Sequence, residues 1–160
     1  MKDILVRRAK SEDRKDAVFV EGQATPGLHY LDNVYEDWLV DPDGVLLVAE
    51  FDGRLVGVGK FSKMPDGSAW LETLRVLPDY QGKGIGKAFY REFLNLAEIR
   101  GINRLGMYTT PDNFASKGLA EINGFIFAGE FRGSSLDIKS AGTYVESKGF
   151  ETITSPDDAW

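Results

Sequence analysis

The sequence contains no cysteine and only one histidine, His29, among its 160 residues. The lack of cysteine excludes disulfide bonds and zinc sites built on thiolates. A lone histidine excludes a metal site built from several histidines, and we expect no metal. No apolar run approaches the roughly 20 residues that cross a membrane, and the amino-terminal run 4–6 is too short for a signal-peptide core. These absences predict a cytoplasmic protein without a membrane partner.

Positive charge is also scarce, because 19 Lys and Arg residues face 25 Asp and Glu residues and give a formal net charge of −6. A nucleic-acid-binding protein normally has the opposite balance, so nucleic acid is not an expected partner. Hydrophobic residues make up 42% of the chain and aromatic residues 12%, which is enough for a core and too much for a wholly disordered chain. Glycine, in contrast, is plentiful, with 18 residues.

Strand and helix patterns alternate along one main domain, predicted to cover residues 1–133. The predicted strands are 4–8, 45–51, 55–61, 69–77, 104–109 and 125–131. The predicted helices run from Ser11, as N-cap, to about Gly22, and over 30–40, 85–100 and 113–123. This order indicates an α/β (α+β) fold with a mixed, mostly antiparallel sheet flanked by helices.

The carboxy-terminal segment, 134–160, is richer in Ser, Thr, Gly and Asp and ends in a predicted loose tail. Residues 142–154 are a candidate hairpin that turns at Ser147-Lys148-Gly149. The sequence leaves open whether this segment completes the sheet or pairs with a neighbouring molecule in a homodimer.

Three alternating glycines, Gly82, Gly84 and Gly86, lie between the predicted strand 69–77 and a long helix. Glycine permits a sharp turn and a close approach of ligand to backbone, and the first amides of a helix are unpaired and partly positive. Such a loop suits a phosphate or pyrophosphate. Residues 75–104 hold six basic and three acidic residues, so the pattern also predicts a basic patch beside the glycines.

Two nucleotide-binding motifs fail on residue identity. A Walker loop needs Ser or Thr after Gly86-Lys87, where Ala88 stands, and glycine at position 81, which is Gln. A dinucleotide-binding fingerprint that uses Gly82 and Gly84 needs a third glycine at position 87, which is Lys.

The spacing of Gln81, Gly84 and Gly86 instead resembles the acyl-CoA loop of the GCN5-related N-acetyltransferase (GNAT) superfamily. Three further stretches are similar to that family in the same order, and the order of elements agrees from about residue 4 to residue 132. These stretches are Leu74-Arg75-Val76-Leu77-Pro78-Asp79-Tyr80, Asn113-Phe114-Ala115-Ser116 and Asn123-Gly124-Phe125. The resemblance implies a GNAT-like acyl-CoA N-acyltransferase fold.

The resemblance further implies an acetyl-CoA-dependent N-acetyltransferase, with acetyl-CoA as co-substrate and a primary amine of a small molecule or peptide as acceptor. Main-chain groups of Leu74 and Val76 would pair with the pantetheine arm in a splay of the sheet. Gln81 either assists binding or only shapes the turn, and Asn113 either contacts the pantetheine or only caps its helix. The implied CoA-binding residues are Leu74, Arg75, Val76, Gln81, Gly82, Lys83, Gly84, Ile85, Gly86, Lys87 and Asn113.

Acetyl transfer to an amine needs a proton acceptor, because only the neutral amine attacks. Glu72 is the candidate general base, since strand alternation puts it with Trp70, Leu74 and Val76, and apolar neighbours favour a carboxyl that takes up a proton. The alternative is a solvated strand residue. The tyrosine that serves as general acid in the family aligns with Ala120, which leaves Tyr108 as a substitute or as a plain sheet residue.

Ala120 keeps a second hypothesis open, a non-catalytic acyl-CoA-binding sensor or interaction module on the same fold. Residues 26–32, with Trp38-Leu39, show a faint resemblance to a branch that acts on free amino acids such as histidine. That likeness would make His29 a site residue, and a structural or surface role is the alternative.

Overall fold

The computed structural model describes residues 3–130. The chain divides into two units, Met1–Ile126 and Phe127–Trp160, and all elements below belong to the first. Its strands are β1 (Ile4–Arg8), β2 (Gly44–Phe51), β3 (Arg54–Lys63), β4 (Ala69–Val76) and β5 (Leu105–Met107). Its helices are α1 (Arg14–Ala24), α2 (Leu31–Leu39), α3 (Ile85–Ile99) and α4 (Phe114–Ile122). None of the helices in residues 3–130 has the length and apolar character needed to cross a membrane.

The five strands form one sheet in the order β1-β2-β3-β4-β5. The first four strands pair antiparallel with their neighbours, whereas β5 runs parallel to β4. The predicted mixed, mostly antiparallel sheet is therefore confirmed. The β2–β3 hairpin turns at Asp52-Gly53, where both residues have positive φ angles of 50° and 79°, as the tight turn between two right-twisted strands requires.

Helix α3 packs its apolar face on the sheet at two glycines of β3. A Cβ atom at Gly57 would lie 2.8 Å from the Phe89 ring, and one at Gly59 would lie 3.0 Å from the Phe93 ring. The two rings are stacked with their centroids 6.0 Å apart, and both are fully buried. Glycine in β3 therefore provides the space into which α3 packs.

The start of the first helix differs from the prediction that Ser11 is the N-cap. Residues Ser11–Asp13 form a 3₁₀ turn before α1, and the Asp13 carboxylate accepts the Lys10 N–H at 2.8 Å. The Ser11 hydroxyl donates instead to Glu36 at 3.1 Å. Asp13 thus provides the capping acceptor, and α1 continues past the predicted end at Gly22 to Ala24.

The predicted strand 125–131 is wrong for the residues that can be judged, because 125–130 contain no strand. Phe125 contacts Tyr90 edge-on, with ring centroids 5.7 Å apart, while Ile126 and Phe127 are exposed. Strand β5 is also shorter than predicted. Phe131, the candidate hairpin 142–154 and the tail lie outside the described residues.

Candidate functional site

Strands β4 and β5, the last two strands of the described sheet, separate along their length. Their parallel ladder joins Ala69 to Leu105 and ends where Leu71 meets Met107. Strand β4 continues to Val76, so within residues 3–130 the main chain of 72–76 has no neighbouring strand on its β5 side. The unpaired edge has the polar groups that an extended ligand would need to pair with it.

A bulge in β4 turns the strand at the same place. Thr73 has a φ angle of 58°, and the partners Glu72 and Arg75 are three residues apart while Lys60 and Val58 are two apart. The extra residue shifts the alternation. Val76, which pairs with Gly57, therefore lies on the opposite face from Glu72, and the predicted shared face is wrong for Val76.

The bulge is attached to the segment before α2 by a side-chain hydrogen bond between Tyr30 Oη and Thr73 Oγ1. The Tyr30 ring also contacts Trp38 edge-on, with centroids 6.0 Å apart. The residue that precedes α2 thereby contacts β4 at the bulge. The sequence does not predict this bulge. Thr rarely adopts a positive φ angle, so a threonine gives no reason to expect one here.

The glycine loop after β4 adopts the backbone that only glycine takes without strain. Gly82 has a φ angle of 73°, and Gly84, the N-cap of α3, has one of 92°. The first recorded helical bond at this end runs from Ala88 N–H to Gly84 O, at 3.0 Å. The amides of 82–87 therefore precede the hydrogen-bonded part of α3 and lie at the positive end of its dipole.

Three polar residues of the predicted CoA-binding set have structural contacts. Gln81 Nε2 donates to Val76 O at 3.1 Å, and Lys83 Nζ donates to Asp79 O at 2.5 Å. Asn113 caps α4, where its Oδ1 accepts the Ser116 N–H at 3.0 Å. These contacts supply the shaping and capping roles that the sequence left open for Gln81 and Asn113.

The predicted basic patch is wrong for two of its members. Arg100 donates to Asp43 O at 3.0 Å, and Arg104 pairs with Asp66 at 2.5 Å. Helix α3 has 15 residues and is thus about 22 Å long, so Arg100 lies at the end away from the glycines. The prediction failed because residues that are close in sequence can lie at opposite ends of a long helix.

Glu72 has a polar partner, Ser62, that the alternation of β4 did not predict. Ser62 Oγ donates to Glu72 Oε1 at 2.6 Å, and Lys60 Nζ donates to Ser62 Oγ at 3.1 Å. Lys60 also forms an ion pair with Asp41 and is only 1% exposed. The four side chains Asp41, Lys60, Ser62 and Glu72 are called the Lys60 network below.

The Asp41 carboxylate is held charged within the Lys60 network. Burial alone would raise its pKa, but the hydrogen bonds from Lys60 and from the Asp43 N–H, the latter at 2.9 Å, outweigh burial and lower the pKa below its usual range. Sequence analysis missed this network. The sequence feature that could have revealed it is Lys60, a charged residue that follows Val56 and Val58 at the next alternate, buried position of β3.

The remaining candidate residues lie apart from the Lys60 network. Tyr108 follows the end of β5 and is 60% exposed. Ala120 is buried in α4, and His29 is exposed in the turn beside Gly22. Arg75 Nη1 donates to Leu74 O at 3.2 Å, while its buried Nε has no hydrogen-bond partner within residues 3–130.

A parallel β5 that splays from β4, followed by a glycine loop and a long helix, agrees with the arrangement that the resemblance to GNAT acetyltransferases implies. The family model described as "Acetyltransferase (GNAT) family" matches residues 11–125. The chain belongs to this family.

Curated relatives with sequence similarity carry several acetyltransferase names. Mycothiol acetyltransferase of Clavibacter michiganensis subsp. michiganensis is 37% identical over 82 residues, which are 51% of this chain and 26% of the relative. Histidine N-acetyltransferase of Oreochromis niloticus is 29% identical over 93 residues, 58% of this chain and 28% of the relative. The chain spans about a quarter of the length of these relatives.

Solved structures share the fold at low sequence identity. AAC(6')-Iy, in complex with the bisubstrate analogue CoA-S-monomethyl-acetylneamine, has a TM-score of 0.73 at 17% identity, covering 84% of this chain and 99% of that chain. The ribosomal-protein-S18-alanine N-acetyltransferase of Escherichia coli has a TM-score of 0.70 at 21% identity, covering 79% and 80%.

Proposed function

We propose that this protein is an acetyl-CoA-dependent N-acetyltransferase that moves an acetyl group directly to a primary amine of a small molecule or peptide. The observation that carries the proposal is the unpaired edge of β4, over 72–76, which leads into the glycine loop. An edge that can pair with an extended arm is followed there by amides that can hold a pyrophosphate. Membership of the GNAT family supports the same activity.

The main chain of β4 and of the glycine loop would hold the co-substrate. Leu74 and Val76 pair with the pantetheine arm as an added strand would, and the amides of 82–87 bind the pyrophosphate. Lys83 and Lys87 contribute positive charge beside that site, and Arg75 lies next to the pairing residues. Acetyl-CoA supplies the activated thioester carbonyl, and a backbone amide near Val76 stabilises the oxyanion that forms from it.

Glu72 would accept the proton of the amine. Its Oε1 atom accepts from Ser62 at 2.6 Å, while Oε2 has no hydrogen-bond partner among residues 3–130 and is the oxygen left to contact the amine. Tyr108 is the proposed donor to the leaving thiolate, from its exposed position after β5. Two relatives are named for histidine and for L-2,4-diaminobutyric acid, so free amino acids are the first acceptors to test.

A thiol-release assay tests this function with acetyl-CoA and a panel of amino acids, diamines and peptides. We expect turnover with at least one amine, and a decrease in kcat of about a hundredfold or more in Glu72→Gln, the usual size of a general-base contribution. Binding of acetyl-CoA without turnover on any amine would favour the non-catalytic module instead. Unchanged kcat in Glu72→Gln would remove Glu72 from the reaction.

A further inference from the structure

We propose that Lys60 is a positioning residue for the acetyl-transfer reaction, acting on Glu72 through the hydroxyl of Ser62. This inference rests on the proposed function, because Glu72 has a task to perform only if the protein transfers an acyl group. It assigns a role to a buried ammonium group that the CoA-binding elements do not use. Lys60 and Ser62 lie on β3, the strand that pairs with β4 at Glu72.

The direction of the hydrogen bonds follows from the chemistry of the three side chains. An ammonium group can only donate, so the Ser62 oxygen accepts from Lys60 Nζ over their distance of 3.1 Å. The single hydroxyl proton of Ser62 is then directed to Glu72 Oε1, at 2.6 Å. Glu72 must therefore accept at Oε1, and this hydrogen bond fixes the orientation of its carboxylate.

Several further contacts hold Lys60 in place. Besides Ser62, its Nζ atom donates to the Asp41 carboxylate and to Phe61 O at 3.5 Å, and it lies 5.6 Å from the centroid of the Trp38 ring. A buried ammonium that contacts an anion, a hydroxyl and an aromatic face is held in one position. It is therefore a suitable anchor for a chain of directed hydrogen bonds.

The backbone makes room for this ion pair at one position. A Cβ atom at Gly44 would overlap Lys60 Nζ and Asp41 Oδ2. Strand β2 therefore begins with the one residue type that leaves space for the pair. This steric relation is independent of the hydrogen bonds and shows that the packing at the end of α2 is built around Lys60.

The consequence for the reaction is that only Glu72 Oε2 is available to the amine. As the amine nitrogen bonds to the thioester carbon, its proton passes to Oε2. The carbon–sulfur bond then breaks, and the CoA thiolate leaves and takes up a proton. The charged groups linked to Glu72 through Ser62 are Lys60 from β3 and Asp41 from the turn before β2.

The decisive variant is Ser62→Ala, which breaks the link to Glu72 and leaves the ion pair of Lys60 intact. We expect kcat to decrease about tenfold and KM for acetyl-CoA to stay within about twofold. Ser62→Thr, which keeps the hydroxyl, should restore most of kcat.

Ser11→Ala is the matched control, because it removes another serine-to-glutamate bond, the exposed one to Glu36, and should leave the kinetics unchanged. Lys60→Met should show the same decrease in kcat and the same KM as Ser62→Ala. If Lys60→Met does not fold, the kinetics of Ser62→Ala test the link between Lys60 and Glu72.

A wild-type kcat in Ser62→Ala, with Glu72→Gln impaired, would overturn this inference and leave the proposed function standing. A fully active Glu72→Gln would overturn the inference together with the role of Glu72. Absence of turnover on any amine by the unmodified protein would contradict the proposed function and this inference with it.

Discussion

The ion pair between Lys60 and Asp41 predicts that its two partners differ in their effect on stability. The Lys60 side chain is 1% exposed, whereas that of Asp41 is 27% exposed. Asp41→Asn leaves an ammonium group buried without its anion, and Lys60→Met leaves a carboxylate that water reaches. The variant that strands the more deeply buried charge should be the less stable one.

The magnitudes follow from the cost of stranding a buried charge, which is about 3 to 5 kcal/mol. We expect Asp41→Asn to lower the free energy of unfolding by about that amount. Lys60→Met should cost about 2 kcal/mol, since Met has a similar shape and the carboxylate keeps the Asp43 N–H at 2.9 Å. Either loss is large beside the 5 to 15 kcal/mol that stabilises an ordinary domain.

Urea unfolding at pH 7 measures both values, with the double variant closing a double-mutant cycle. The pKa of Asp41 is lower in the folded protein than in the unfolded chain. Its contribution is therefore present above about pH 4, the unfolded value, and is lost as the pH falls through the folded value. A larger loss in Lys60→Met than in Asp41→Asn, or a coupling energy near zero, would refute this account of the pair.

Three further predictions concern packing, capping and pH. Gly59→Ala should lower the free energy of unfolding by about 1 to 3 kcal/mol, because a Cβ would lie 3.0 Å from the Phe93 ring. Asn113→Ala should cost about 1 kcal/mol through its lost cap, as measured by urea unfolding. Hydrogen bonding to Arg7 lowers the pKa of Asp13, so stability should fall as the pH drops below about 4, and less steeply in Arg7→Leu.

Controls come from the same chain. Gly118 lies in α4, and a Cβ there would meet nothing within 4 Å, so Gly118→Ala should be neutral or stabilising by up to about 1 kcal/mol. A Gly59→Ala protein as stable as Gly118→Ala would show that α3 does not pack on β3 as described. Stability of Arg7→Leu that falls as steeply in acid as the unmodified protein would remove Asp13 from the acid transition.

Much of the fold could be predicted from the sequence because local signals agreed with the tertiary structure. The sequence marks the Asp52-Gly53 turn, the apolar face of α3 and the glycine loop, because each of them requires particular residue types at those positions. The predicted N-cap at Ser11 is wrong because the carboxylate of Asp13, two residues further on, accepts the hydrogen bond from Lys10 N–H at the start of this segment. The strand 125–131 failed because β propensity near Phe125 says nothing about whether a neighbouring strand is present.

The candidate site was less predictable because it depends on register. One extra residue at Thr73 puts Val76 on the other face from Glu72, and a bulge at a non-glycine residue has no sequence signature. The partnership of Lys60 with Glu72 likewise appears only once β3 and β4 are aligned. Where the main chain is proposed to bind the ligand, as in the loop 82–87, the glycines gave a usable signal.

The most direct test of the central claim is the shift in melting temperature that acetyl-CoA produces in the unmodified protein and in Gly84→Asp. Gly67→Asp is the matched control, since Gly67 also has a positive φ angle, 81° against 92° at Gly84, and lies in the β3–β4 turn. Saturation at about 100 times Kd should stabilise the unmodified protein and Gly67→Asp by about 2.7 kcal/mol. Gly84→Asp should fold and show no shift, whereas a folded Gly84→Asp with the full shift would contradict the assignment of the loop to CoA.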